Sequence, residues 1–339
     1  MTFALSGPDA TGIFPRMHVF VTGGAGYIGS VCVEELLNAD HEVTVFDNLS
    51  EGHHAAVDQR AVFVQACLSD ADNIAQALRD SKAEAVIHFA AHALVTESMT
   101  NPGKYFRNNV ANAVNLLNGA VAAGVKKFVF SSSCATYGVP DRVPISEDMP
   151  QRPVNPYGES KLMVERMLPW YQRVHGLESV SFRYFNAAGA SGQFGEHHRV
   201  ESHLIPNVLK VALGLASHCE IFGTDYPTPD GTCIRDYIHV IDLAQAHMLA
   251  LAPGIHGSFN LGNGEGYSVR EVIKTCAQAS GEDITALERP RRPGDPPRLV
   301  AAADKARREL GWKPKYPRLE DIVRSAWHWH KKHPHGYGD

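Results

Sequence analysis

A chain of 339 residues can hold one large domain or two intimate ones, and its 44% apolar and 20% charged residues are those of an ordinary soluble globular protein. A net charge of −5 offers no basic footprint for nucleic acid or an anionic membrane surface, and no apolar run approaches the roughly 18 residues of a membrane helix. Six dispersed cysteines (Cys32, Cys67, Cys134, Cys219, Cys233 and Cys276), without a CxxC pair, read as reduced residues of a cytoplasmic protein.

The first 16 residues lack a basic start followed by an apolar core, so they are no secretory signal. With Met17 just before the first strand, residues 1–16 read as an extension or a cloning scar. His18 to Thr22 is short, β-branched and apolar, the pattern of a buried parallel strand. It runs into Gly23, Gly24, Gly26 and Gly29 and then a helix that buries Val33, Leu36 and Leu37. A glycine turn between strand and helix allows close backbone approach to a diphosphate, and the helix N-terminus presents N–H groups and positive dipole to it. A second strand, Glu42 to Phe46, ends at Asp47. A carboxylate about twenty residues past the glycines takes the adenosine ribose hydroxyls and repels a 2′-phosphate, so the cofactor is NAD rather than NADP.

A third strand (Ala61–Gln65), a helix around Asp72–Arg79 and a fourth strand (Ala85–His88) follow. A long helix at about 103–123 leads to KKFVFSSS, a fifth strand that ends in serines. A helix beginning near Pro156 carries YGESK, and a sixth strand, Ser179 to Arg183, ends in YFNAAGA. This alternation predicts an α/β fold, a Rossmann-type doubly wound parallel sheet with right-handed crossovers. Past residue 188 loops dominate, and residues 233–260 look like a strand and helix that return to the first domain. The domain reading is a dinucleotide-binding domain over 17–187, with that return, and a smaller C-terminal mixed α/β substrate-binding domain over 188–232 and 261–330. Residues 331–339 form a tail.

Tyr157 and Lys161 stand four apart on one helix and share a face. An ammonium beside a phenol favours the phenolate and lowers its pKa from the usual value of about 10, and a positive nicotinamide ring acts in the same direction. Ser133, 24 residues before Tyr157 at a strand end, is placed to hydrogen-bond the same substrate hydroxyl. The tail string WHWHKKHPH lies at a terminus, where disorder is usual, and no metal is expected. His53–His54 and His197–His198 read as exposed loop residues.

TGGAGYIGS, FDNLSEG, NNV, FSSSCATYG, NPYGESK, RYFNAAGA, HLIP, YPTPDGTCIRDYIHV, NLGNGEGYSV and RRPGDPPR, in one order over about residues 17–330, resemble the UDP-glucose 4-epimerase family of the extended short-chain dehydrogenase/reductase superfamily. The resemblance implies reversible C4 epimerisation of UDP-galactose and UDP-glucose through a transient 4-ketopyranose, with tightly held NAD as hydride carrier. It implies Tyr157 as base, Lys161 as its tuner and a ribose ligand, and Ser133 as second hydroxyl contact. Gly23, Gly26 and Gly29 form the diphosphate loop, and Asp47 and Asn48 meet the adenosine ribose. Tyr27, Ile28, Leu68, Phe89, Ala90 and Asn109 complete the cofactor contacts. On the substrate side the family pattern implies Asn186, Leu204, Arg235, Arg292, Asp295 and Leu299, the two arginines serving the diphosphate and Asp295 the uridine ribose.

Three departures stand out. Cys67 replaces the family's adenine-contacting acid, and His92–Ala93 replaces a more polar pair. Leu299 occupies a sugar-facing position that varies between tyrosine and smaller residues, which keeps UDP-N-acetylhexosamine and UDP-pentose open as preferred substrates. A 4,6-dehydratase needs an acid beside the serine, and Cys134 and Ala135 cannot supply one. A non-catalytic NAD sensor would not need Tyr157, Lys161 and Ser133 together. The family also implies a homodimer formed by the helices at 103–123 and 156–175, the first with an apolar stripe through Val110, Val114 and Leu117.

Overall fold

The computed structural model describes residues 16–292 and 294–338. The N-terminal extension up to residue 15, Pro293 and Asp339 lie outside the described residues. Six strands follow the predicted order: β1 (His18–Thr22), β2 (Glu42–Asp47), β3 (Val62–Gln65), β4 (Ala85–His88), β5 (Lys127–Ser133) and β6 (Glu178–Tyr184). After β7 (Asn186–Ala188), β8 (Cys219–Phe222), β9 (Ile234–Arg235) and β10 (Tyr237–His239), strand β11 (Gly257–Leu261) returns to the sheet beside β6. The sheet order is β11-β6-β5-β4-β1-β2-β3, all parallel.

Helices cover both faces, and the two-residue period of β1 shows why. Val19 and Val21 pack towards α1 (Tyr27–Asn38), through Val31 and Leu36, and towards Leu243 and Ala246 of a later helix, Val240–Leu249. Phe20, between them, faces the opposite layer, where Ile74 and Leu78 of α2 (Ala71–Ser81) meet Leu116 and Leu117. Leu117 is thus spent on the sheet rather than on a free stripe. The predicted helix at 103–123 is also not continuous. After a short α3 (Val95–Thr100), it comprises α4 (Pro102–Tyr105), a π-helical turn at Phe106–Ala111 and α5 (Asn112–Ala122). Asn101 caps α4 ahead of Pro102, and the π turn re-aims Asn109.

Helix α6 (Pro156–His175) starts at Asn155, whose side chain accepts from the Gly158 amide at 2.8 Å. The second lobe contains α7 (Leu204–Ala212), α9 (Val269–Ser280) and α11 (Leu319–Lys332), whereas α8 (Val240–Leu249, the helix already placed on the sheet) and α10 (Asp304–Glu309) pack on the central sheet's core. The lobe's core joins Ile205 and Leu209 of α7 to Val272 of α9 and to Ile322 and Val323 of α11. Strands β12 (Tyr267–Ser268), β13 (Ala286–Arg289) and β14 (Arg298–Leu299) complete small sheets, of which β12-β9-β14 lies at the site.

Two expectations are corrected. WHWHKK is ordered as the end of α11, because Leu319, Ile322, Val323, Ala326 and Trp329 form one buried face at helical spacing. Beyond it, the Tyr337 hydroxyl donates to the Gly195 carbonyl at 3.1 Å. His53 is buried, not exposed: its ring stacks on Tyr337 at 5.1 Å and lies 4.7 Å from His197.

Candidate active site

The C-terminal ends of β1 and β4 lie side by side, where the strand order reverses, the position at which doubly wound sheets bind nucleotides. Gly23 has φ +73°, and a Cβ there would lie 2.5 Å from the Ala90 nitrogen. A Cβ on Gly29 would lie 2.1 Å from the Gly23 carbonyl oxygen, so the turn admits only glycine at either place. Phe89 and Ala90 both donate their amides to the Thr22 carbonyl, at 2.9 and 3.2 Å. Helix α1 begins at Gly26 with no side-chain cap and no acidic residue in its first turn. The amides of Tyr27 and Ile28 at this uncapped end are of the kind that suits an anion.

Asp47 is buried, and its carboxylate accepts from the Ala25 amide at 3.0 Å and the Leu49 amide at 2.8 Å. Burial raises its pKa, opposed by these backbone donors. Asn48 is exposed beside it, its amide 3.6 Å from the Cys67 sulfur. Burial pushes the Cys67 thiol up, but hydrogen bonds from Ser69 and Asn48 outweigh it and lower its pKa. Leu68 is buried and its carbonyl accepts from Asn115 at 3.1 Å. Asn109, 3% exposed, is committed on all sides: it bonds the His92 amide and carbonyl at 2.9 and 3.0 Å and the Ser160 hydroxyl at 3.0 Å. It ties the loop after β4 to α6. An uncapped helix end, glycines forced by contact and a ribose-ready carboxylate fit NAD.

Tyr157 and Lys161 lie on α6 against the end of β5. The Lys161 ammonium donates to the Ser131 carbonyl at 2.8 Å and sits 5.9 Å from the centre of the Tyr157 ring. Tyr157 shares a hydrogen bond with Ser133, whose oxygen also accepts from the Ala135 amide at 3.1 Å. The expected lowering of the phenol does not appear. Burial pushes Tyr157 up to about 12, with the Ser133 bond acting against it, and burial brings Lys161 down to about 7, with Glu165 acting against it. Desolvation is the largest influence on each group, and it opposes the charged form of both.

The substrate-side residues converge on the three short strands. Arg235 on β9 is paired in register with Leu299 on β14, and its guanidinium donates to Asp295 at 2.5 Å. Leu299 and Cys134 pack against the same apolar cluster of Tyr137, Ile145 and Phe185, so the β14 wall adjoins the Ser133 turn. Arg292 stacks on Phe222 with its guanidinium 4.0 Å from the ring centre, and Arg292 and Arg235 both act on the Cys233 thiol, which burial raises. Asn186 donates its amide to the Asp236 carbonyl at 3.0 Å, and Leu204 is the first residue of α7.

Sequence reasoning missed the support beneath this site. Glu165, four residues after Lys161 on the same helix, accepts from Arg183 at 3.0 and 2.6 Å, from Gln151 at 3.1 Å and from the Ser132 hydroxyl. Arg183 also donates to the Tyr137 hydroxyl at 2.9 Å, which in turn donates to Asn260 at 2.7 Å. The spacing of Lys161 and Glu165 was a usable signal; Arg183, on a different strand, had none.

Sheet order, glycine turn and a Tyr–Lys–Ser group, half-buried at Tyr157 and buried at Lys161 and Ser133, define a dinucleotide-dependent enzyme of the short-chain dehydrogenase/reductase type. Residues 19–262 match the family described as NAD dependent epimerase/dehydratase. The chain belongs to that family, and its cofactor is NAD. It is 52% identical over 327 residues to a UDP-glucose 4-epimerase of Halalkalibacterium halodurans, covering 95% of this chain and 98% of the relative. It superposes on a crystal structure of UDP-glucose 4-epimerase with a TM-score of 0.93 at 46% identity, covering 95% of this chain and 100% of the other. The Bifidobacterium longum UDP-glucose 4-epimerase, solved with NAD+ and UDP, gives 0.90 at 38% identity, with 94% and 99% covered.

Proposed function

We propose that this protein interconverts UDP-galactose and UDP-glucose by inverting C4. The observation that carries the reading is the group of half-buried Tyr157 with buried Ser133 and Lys161 at the C-terminal end of a sheet built for NAD. Bound NAD supplies the reversible acceptor for the C4 hydride, and its positive nicotinamide ring favours the phenolate. Tyr157 takes the proton from the 4-hydroxyl and returns it once the 4-keto sugar has presented its other face. Ser133 holds that hydroxyl in line with the phenol. Lys161, fixed by the Ser131 carbonyl, keeps cationic charge beside the tyrosine and reaches the cofactor ribose.

Gly23, Gly26, Gly29, Tyr27 and Ile28 cradle the cofactor diphosphate; Asp47 and Asn48 take the adenosine ribose; and Leu68, Phe89 and Ala90 wall it in. Asn109 acts by positioning the loop after β4. Arg235 and Arg292 meet the UDP diphosphate, with Asn186, Leu204 and Asp295 holding the rest of the nucleotide. Leu299, smaller than an aromatic residue, supports UDP-N-acetylhexosamine as a second substrate. A homodimer belongs to the same reading, supported by exposed Met163, Trp170 and Val174 along α6. So does a reducing cytoplasm, supported by six free thiols; no described helix is long and apolar enough to cross a membrane.

The test is proton NMR of UDP-galactose with pure protein in D2O. UDP-glucose without deuterium in the sugar is expected; deuterium at C5 or a 4-keto-6-deoxy product refutes the reading. Tyr157→Phe should lower kcat about 10²–10⁴-fold, the usual worth of a general base, while still binding NAD. Unchanged kcat would remove Tyr157 from the mechanism.

A further inference from the structure

The loop between β7 and α7 contains a side-chain group that the proposed reaction does not use. Glu196, His198, Glu201 and His203 each contribute one donor atom, and the four atoms lie within 4.8 Å of one another. Nε2 of His198 is 3.2 Å from Oε1 of Glu196. Nδ1 of His203 is 3.1 Å from that same oxygen and 2.9 Å from Oε1 of Glu201. The two carboxylates are almost wholly buried, at 5% and 4% side-chain exposure. Ligand bonds of about 2.0–2.2 Å around a tetrahedral ion place its donor atoms roughly 3.3 Å apart, close to these three spacings.

Charge favours the same reading. Two buried carboxylates need compensation, and a divalent ion held by them and two neutral imidazoles balances both. Two nitrogens and two oxygens, with no thiolate, suit zinc and its neighbours better than calcium or magnesium. His330 stands close by, buried, with its Nε2 lacking a partner and Glu201 within electrostatic range.

We propose that Glu196, His198, Glu201 and His203 form a structural site for one divalent transition ion of the zinc class. Four protein ligands leave no open position, so the ion holds structure rather than doing chemistry. What it fastens is evident from the neighbours. The Tyr27 ring meets His198 edge-on at 6.1 Å, and Arg199 donates to the Leu49 and Gly52 carbonyls at 3.2 and 3.1 Å. His203 directly precedes Leu204 at the start of α7. The ion would lock the loop that joins the cofactor turn to the nucleotide-facing helix.

The experiment strips the protein with a chelator, then titrates Zn2+ in competition with a chromophoric chelator and, separately, records the Co2+ absorption spectrum. One tight equivalent of Zn2+ per chain, intense tetrahedral Co2+ bands and a Zn2+-dependent rise in Tm are expected. Glu201→Gln should weaken Zn2+ by more than the roughly 10–100-fold that losing an outer-shell partner costs. His198→Gln with His203→Gln should abolish the tight equivalent and the Tm gain. That variant retains every histidine of the C-terminal string, so tight binding that survives in it overturns the proposal. Weak octahedral Co2+ bands or no tight equivalent in the wild type would overturn it without any variant.

Discussion

Glu165 and Arg183 form an ion pair with 5% and 7% of their side chains exposed, and Glu165 accepts a hydrogen bond from Ser132 in the serine run at the end of β5. Glu165→Gln keeps the shape and removes the charge. Burial works against the Arg183 charge, but the bonds and charge of Glu165 hold the guanidinium fully protonated. Without the carboxylate it is a buried, uncompensated cation, and breaking such a pair costs about 3–5 kcal/mol. A chain of 339 residues gains about 0.7 kcal/mol/K of unfolding entropy, so the melting temperature should fall by about 4–7 °C. Glu165 also raises the Lys161 pKa, so the variant's lysine drops further below its ordinary value and is mostly neutral at pH 7. Less charge beside Tyr157 lowers kcat at neutral pH, and lowering the pH partly restores it by recharging Lys161. The assays are calorimetric melting and kcat against pH, with Glu165→Gln/Arg183→Met as the control that removes both charges. That double variant should regain much of the lost Tm, since replacing both ions by apolar volume is often neutral. A single variant melting within about 1 °C of wild type would refute the uncompensated-charge argument.

Buried histidines set the acid limit of stability. His247, wholly buried among Phe89, Phe182 and Tyr184, is pushed down by burial to about 4, and His239 and His330 are held similarly low. A folded pKa below the unfolded value of about 6.5 means the contribution is full above that pH and is lost as pH falls towards 4, by about 3 kcal/mol for one such group. His247→Leu should flatten the fall of Tm between pH 6.5 and 4.5, and an unchanged slope would mean His247 does not titrate with unfolding. Cys67 is the thiol whose pKa is lowered, while burial raises the other five. Iodoacetamide should therefore alkylate Cys67 first, and saturating NAD should slow it if the adenosine lies there; mass spectrometry finding Cys134 labelled first would reverse that order.

The elements that position the site were legible because each is specified locally. The alternation of Val19, Phe20 and Val21, the glycines before α1, Asp47 at the end of β2 and the Tyr157–Lys161 spacing all follow from short-range periodicity. The break in the 95–122 helices was less legible, because Asn and Val at the π turn are poor but permitted helix residues and the extra residue is fixed by what Asn109 must reach. The buried charges were the least legible. Glu165 and Arg183 are 18 residues apart on a helix and a strand, and GEHHRVESHL has the polarity of an exposed loop although Glu196 and Glu201 bury their side chains.

The same limit governs the chemistry. Spacing identified Lys161 as the neighbour of Tyr157, and that is correct, but a neighbour's charge acts only after both groups have left water. Burial raises Tyr157 to about 12 and lowers Lys161 to about 7, so the chain's own residues do not favour the phenolate, and added positive charge acts there more strongly than in bulk water. Oxidised NAD held there would supply that charge through its cationic ring, coupling the proposed deprotonation to its presence. On the proposed mechanism, Tyr157 would take the sugar proton only with the oxidised cofactor in place and would hold it until the hydride returns.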